Sequence, residues 1–228
     1  MSPGADGPFR VGFVAGVTPD KWARAWAERM PRRRLELVAL EGRDGAAMLR
    51  SGDLHMSFLR LPVDREGLHL IPLYDEQPVV VVPVDHPVAA YDEVDVGDLR
   101  DEHLLQDPDD VPSWRDVATE VADGSRHPVP AMGLRASVER VAADAGILVL
   151  PLSLARLHRR RDVTQVRVTG VPTTKVALAW PVDADDDRVE TFVGIVRGRT
   201  ANSSRTPGSR RRRPGPGLTS RRAADDPR

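Results

Sequence analysis

Four consecutive valines, Val79 to Val82, end at Pro83, and a second proline follows in His86-Pro87. So dense a run of β-branched residues leaves no wet face, and it reads as a strand covered on both sides, inside a layered α/β domain. The prolines then keep the chain extended instead of letting it turn into a helix. Ahead of the valines, Leu68, Leu70 and Pro72-Leu73 form an alternating run that leads into an acidic turn at Asp75-Glu76. The stretch from Leu68 to Val88 fits a passage between two lobes, and it also fits an ordinary central strand with a proline-marked end.

The flanking sequence alternates strand and helix patterns. Phe9 to Val14 reads as a strand. Thr18, Pro19 and Asp20 then form a helix start, with a capping hydroxyl, a proline at the first helical position and an acid at the positive end of the dipole. Trp22, Ala23, Trp26, Ala27 and Met30 make one helical stripe. Strands over Leu35–Leu40 and Leu54–Leu59 enclose a short helix at Ala46–Leu49. This βαβαβ order predicts parallel pairing and an α/β class. A second unit follows, with helix over Ser137–Ala145, strands at Ile147–Leu150, Val163–Val168 and Lys175–Trp180, and a last helix over Arg188–Arg197.

The chain has 228 residues, 40% of them hydrophobic, enough for one large domain or two small lobes. Aromatics make up 4%, so the core is expected to consist mainly of Val, Leu and Ala. There is no cysteine, which excludes disulfides and thiolate metal sites. No apolar stretch reaches the roughly 18 residues of a membrane span. The N-terminus MSPGADGPFR lacks an export signal, so a cytoplasmic protein without a membrane partner is expected. Residues 201–228 carry eight arginines against two aspartates, and their Ser, Pro, Gly and Arg content predicts a disordered basic tail from 199 to 228. The body before it is acidic, a poor non-specific ligand for nucleic acid.

No nucleophile elbow, phosphate loop or dinucleotide fingerprint occurs, and the six histidines are scattered without metal-ligand spacing. Neither metal, cofactor nor catalytic residue is expected. What remains suits binding, because open α/β lobes hold ligands at the carboxyl ends of strands, where loops meet helix starts. Three places qualify. Gly16-Val17-Thr18 offers backbone N–H groups and a hydroxyl, or simply a capped helix. Arg60, at a strand end, offers a guanidinium for a carboxylate, or pairs with a local acid. Pro112-Ser113-Trp114 offers a hydroxyl, helix-start N–H groups and an indole, or a packed aromatic.

Four segments in order resemble the effector-binding domain of LysR-type transcriptional regulators. They are RVGF at Arg10–Phe13, Gly52-Asp53-Leu54 leading to Phe58, the run Leu68, Pro72-Leu73, Glu76, Val79–Val82 and His86-Pro87-Val88, and Val141-Ala142-Ala143 through Gly146-Ile147 to Pro151. Together they span about Arg10 to Val196, and the spacing around Phe58-Leu59-Arg60 and Pro112-Ser113-Trp114 is most similar to muconate- and benzoate-responsive members. Asp144 stands where that family usually has glycine, and His55 where it commonly has aspartate.

The resemblance implies a periplasmic-binding-protein type 2-like fold, two Rossmann-like α/β lobes joined by two crossover strands. The first lobe would comprise 9–83 and 173–198, and the second 84–172. A small organic acid effector would lie between them, held by Gly16, Val17, Arg60, Pro112, Ser113 and Trp114; Thr18 is added on its chemistry alone. It also implies a dimer, formed with itself or with a full-length regulator. Only eight residues precede Phe9, so no sequence-specific DNA binding of its own is expected. Two other functions fit the same fold: a solute-binding protein, and an enzyme on the two-lobe scaffold of the prephenate dehydratase or porphobilinogen deaminase type.

Overall fold

Alternating polarity, and its loss, sorts the strands into two sheets. The computed structural model describes residues 7–42 and 44–198, so the basic tail lies outside the described residues. In chain order the strands are β1 (Phe9–Phe13), β2 (Leu35–Ala39), β3 (Met56–Arg60), β4 (Leu68–Glu76), β5 (Pro78–Pro83), β6 (Glu93–Asp95), β7 (Leu148–Pro151), β8 (Val163–Thr169) and β9 (Thr174–Pro181). The helices are α1 (Asp20–Arg29), α2 (Gly45–Arg50), α3 (Pro112–Arg115), α4 (Thr119–Ala122), α5 (Leu134–Ala142), α6 (Leu152–Leu157) and α7 (Asp187–Val196). One sheet has the order β2-β1-β3-β9-β4 and the other β6-β8-β5-β7. This is the two-lobe α/β arrangement with two crossovers.

Where the chain changes lobe differs from expectation. β4 is an edge strand of the first sheet and its burial alternates, whereas β5 lies between β7 and β8 in the second. The passage therefore falls at Gln77, not after Pro83, and the valine run belongs to the second lobe. The reason is packing. An edge strand keeps one wet side and can alternate, but four buried valines need a central position with cover on both faces. Val80 and Val82 face one core, with Val94, Leu99, Trp114 and Val166, while Val79 and Val81 face the other, with Val138, Val141, Leu148 and Leu150. The return crossover runs between β8 and β9, through 170–173.

Pairing is mixed, not uniformly parallel. β1 runs parallel to β2 and β3, but β9 is antiparallel to both its neighbours, and so is β5. A chain that arrives from the other lobe enters its sheet from the opposite end, which local βαβ patterning cannot reveal. The acidic pair Asp75-Glu76 is likewise no turn; it closes β4 and pairs with Lys175 and Thr174 of β9.

The few aromatics are concentrated, so the expected Val, Leu and Ala core describes only part of the molecule. Phe9 stacks on Trp26 at 4.9 Å and Trp22 on Phe58 at 4.5 Å, with Phe192 of α7 against Phe9, Trp26 and Phe58. Trp22 and Trp26, four residues apart, place both indoles on the buried face of α1. The loop 143–146 explains one departure from the family pattern. Asp144 has φ 56, the left-handed region where glycine is usual and Asp is tolerated.

Below the first sheet, Asp186 caps α7 by accepting from the Arg188 backbone at 2.9 Å, and it also pairs with the buried Arg188 side chain at 2.8 Å. His55 Nδ1 accepts from the Arg10 backbone N–H at 3.0 Å, and its Nε2 lies 3.4 Å from Arg188. Burial, and after it the Arg188 charge, hold the His55 pKa below the ordinary 6.5. The unfolded chain therefore binds more protons here than the folded one, and the stability present above the ordinary value is lost as pH falls through the depressed one. Thermal melts between about pH 7.5 and pH 5.5 should show this loss, and His55→Asn, whose carboxamide oxygen still accepts from Arg10, should flatten it. Equal slopes in the two proteins would remove His55 from the account.

Candidate functional site

Arg60 is the last residue of β3, at the carboxyl end of the first sheet, and its guanidinium reaches three separate segments. Nε donates to Glu76 Oε2 at 2.8 Å, and Nη2 donates to the Ala15 carbonyl at 3.1 Å and to Ser153 Oγ at 3.3 Å. Ser153 lies in the first turn of α6 in the second lobe, so Arg60 spans from one lobe to the other. Glu76 is next to the crossover residue Gln77, whose carbonyl accepts from the Leu152 N–H at 2.9 Å. Nη1 is the guanidinium nitrogen that no hydrogen bond to a described residue takes up.

Gly16 completes this contact. It has φ +86, and a Cβ there would lie 2.4 Å from Ser153 Oγ. Only glycine permits both that backbone angle and that approach, so the loop after β1 closes directly on the start of α6. Tyr74, two residues before Glu76, stands near enough to feel both charges. Burial raises the pKa of its phenol, the Glu76 carboxylate adds to the rise, and Arg60 works against it. The resulting cluster comprises Ala15, Gly16, Arg60, Tyr74, Glu76 and Ser153. Its cation and carboxylate cancel, and its polar atoms come from both lobes at the point where the chain passes between them.

Of the expected site residues, Gly16 and Arg60 meet here and the others do not. Val17 is 5% exposed and packs in the aromatic core with Trp22 and Phe58. Thr18 is exposed, makes no cap, and lies beside Asp20, Lys21 and Arg24 on the outer side of α1; the helix begins after Pro19 instead. Trp114 is 0% exposed in the core under Val80 and Val82, and its indole N–H donates to the Leu99 carbonyl at 2.9 Å. The packed-aromatic alternative is therefore the one realised. Among the described residues, no hydrogen bond or ion pair joins Pro112, Ser113 or Trp114 to Arg60, Glu76 or Ser153.

The segment after the crossover is held from behind. Arg126 donates to the Leu104 and Gln106 carbonyls at 2.8 Å each, pairs with Glu120, and lies 5.6 Å from the Trp114 ring centroid. His103 meets the same Glu120 at 2.6 Å. Leu104 forms a single parallel bridge with Ile147. Open concavities lie elsewhere, one of about 1100 Å3 beside Arg156 and Arg159 and one of about 700 Å3 beside His55 and Arg188. Neither includes the residues that join the lobes.

Ser153 and Glu76, the side chains that Arg60 meets, were not among the expected site residues. Ser153 had one signal, a hydroxyl at a helix start after Pro151. Glu76 stood out only as part of the family-like run from Leu68 to Val82; its pairing with Arg60 had no signal, because an acid beside Asp75 looks like any solvated pair.

Comparison with known proteins agrees with this architecture. The profile of the LysR substrate binding domain matches residues 3–201. The Hca operon transcriptional activator HcaR of Escherichia coli K12 is 26% identical over 208 residues, covering 86% of this chain and 69% of the relative. A probable hydrogen peroxide-inducible genes activator of Mycobacterium avium is 29% identical over 208 residues, covering 85% of this chain and 67% of the relative. The chain thus spans about two-thirds of each relative. Among solved structures, the reduced OxyR regulatory domain of Pseudomonas aeruginosa superposes with a TM-score of 0.64 at 23% identity, covering 85% of this chain and 98% of that one. The BenM effector binding domain with its effector benzoate superposes with a TM-score of 0.63 at 19% identity, covering 89% of this chain and 98% of that one. At such identities the superpositions speak for the fold, which is periplasmic-binding-protein type 2-like. With two-lobe architecture, a cross-lobe polar cluster and a profile match along nearly all the described residues, the chain belongs to the LysR substrate binding domain family.

Proposed function

We propose that this protein is the effector-sensing domain of a LysR-type transcriptional regulator, cytoplasmic and dimeric, and that it holds a small organic carboxylate between its lobes. It binds its effector without transforming it. Supporting the reading above all is Arg60, a cation at the carboxyl end of the first sheet that already reaches a hydroxyl of the opposite lobe. A carboxylate entering there takes Nη1, and it takes Nη2 by displacing the bonds of 3.1 and 3.3 Å to Ala15 and Ser153, while the 2.8 Å pair with Glu76 stays in place. A bound anion then links the lobes more strongly than the Ser153 hydroxyl does, because charge-assisted bonds outweigh neutral ones. Binding shifts the population toward the joined arrangement and passes that shift to the dimer.

The relatives also include activators of hydrogen peroxide-inducible genes, and solved OxyR domains exist in reduced and oxidised forms. These 228 residues contain no cysteine, so no thiol-to-disulfide step is open to them. That favours a reversible small-molecule effector, as benzoate is for BenM. The test is a thermal-shift screen of small mono- and dicarboxylates against the purified protein, with hydrogen peroxide as comparison. A carboxylate should raise the melting temperature and peroxide should not. A panel in which no acid produces a rise would end the carboxylate reading.

A further inference from the structure

Glu76 carries an anomaly that the lobe contact alone does not explain. Its side chain is 4% exposed, one oxygen holds Arg60 at 2.8 Å, and the other, Oε1, is buried without a hydrogen bond to any described residue. A carboxylate oxygen removed from water and left without a donor is among the costlier features a fold can retain. Neighbours that carry donors are present. Thr174 stands opposite Glu76 in the β4–β9 ladder, and Tyr74 lies two residues away, yet neither donates to Oε1. Glutamate also exceeds what anchoring Arg60 requires, since a single carbonyl-type oxygen would accept from Nε. The orphan atom sits one residue from Gln77, on the partner of the very guanidinium that crosses between the lobes.

We propose that Glu76 is a specificity-determining residue, whose Oε1 accepts a hydrogen bond from an O–H or N–H group of the bound acid while Arg60 takes that acid's carboxylate. The effector class is thereby narrowed to hydroxy- or amino-substituted carboxylic acids. The inference rests on the carboxylate reading above and adds the donor requirement. Separation of the lobes at Gln77 uncovers Oε1, and closure over a donor-bearing ligand satisfies it. A bare carboxylate meets the same guanidinium but leaves the buried oxygen as it was. Sites built around a polar partner reject analogues that lack it far more strongly than apolar pockets reject a missing methylene.

The experiment is a calorimetric titration of the 228-residue protein with matched acids: benzoate against 3-hydroxybenzoate and 3-aminobenzoate, and succinate against malate and aspartate. In at least one set the donor-bearing acid should bind about tenfold or more tightly than its bare parent. Glu76→Gln keeps its amide oxygen on Arg60 Nε and puts an NH2 where Oε1 stood. An ammonium-bearing ligand should then lose its whole advantage, and a hydroxyl, which can also accept, part of it. The substitution is isosteric and removes a buried charge, and a thermal melt checks that the variant is folded. Equal binding of bare and substituted acids that still depends on Arg60 would overturn the donor requirement and leave the carboxylate reading standing. A preference unchanged in Glu76→Gln would do the same. Failure of every acid to bind would overturn both.

Discussion

Arg60→Ala is expected to lower stability by about 3–5 kcal/mol, because it leaves the Glu76 carboxylate buried and uncompensated. The ion pair is well enclosed, with Arg60 19% and Glu76 4% exposed, so the weak energies of surface pairs do not apply. For a chain of this size that loss lowers the melting temperature by roughly 10 °C, measurable by calorimetry or by urea denaturation. The same variant should lose its response to carboxylates. The two effects separate in the double variant Arg60→Met with Glu76→Leu. Removing both charges together restores most of the stability, since an apolar pair of similar volume is often neutral or better. The ligand response should remain absent. A double variant that still responds would place carboxylate binding elsewhere on the molecule.

Trp114→Ala is the second large effect, and it addresses a different question. The indole is 0% exposed and fills the core under Val80 and Val82, so truncation opens a cavity and strands the Leu99 carbonyl that accepts from its N–H at 2.9 Å. Aromatic-to-alanine changes in such positions cost about 3–5 kcal/mol. Trp114→Phe keeps most of the volume and should cost less while leaving the carboxylate response intact. If the phenylalanine variant were stable but deaf to the effector, Trp114 would belong to the binding site after all.

Local signals were legible where one element's own chemistry decides the outcome. α7 and the strands β8 and β9 are written in apolar spacing, and the buried character of Val79–Val82 follows from β-branching alone. Gly16 and Arg60, which the structure brings to the contact between the lobes, drew notice in the letters because a glycine after a strand and an arginine at a strand end are unusual chemistry in those places. Val17 and Trp114 lie in the cores and not beside Arg60, for a common reason. Their side chains could serve a ligand or a core equally well, and sequence spacing does not say which way a loop residue turns. Asp144 shows the converse. A departure from the family pattern lost its oddity once φ 56 placed it where glycine is ordinarily used.

Letter order by itself determined that this is an α/β protein with a strand covered on both sides and without thiol chemistry, and it left Leu68–Val88 open between a passage between lobes and an ordinary central strand. Only the tertiary structure decided that the passage is Gln77 and that Val79–Val82 is the centre of the second lobe's sheet and not the exit from the first. β-branching reports how deeply a strand is buried, and carries no information on which sheet buries it. A similar limit hid the partners of Arg60. Glu76, 16 positions away, meets it across β9 within the first sheet, whereas Ser153, 93 positions away, meets it only through the way the two lobes close, a property of the whole fold and of no segment within it.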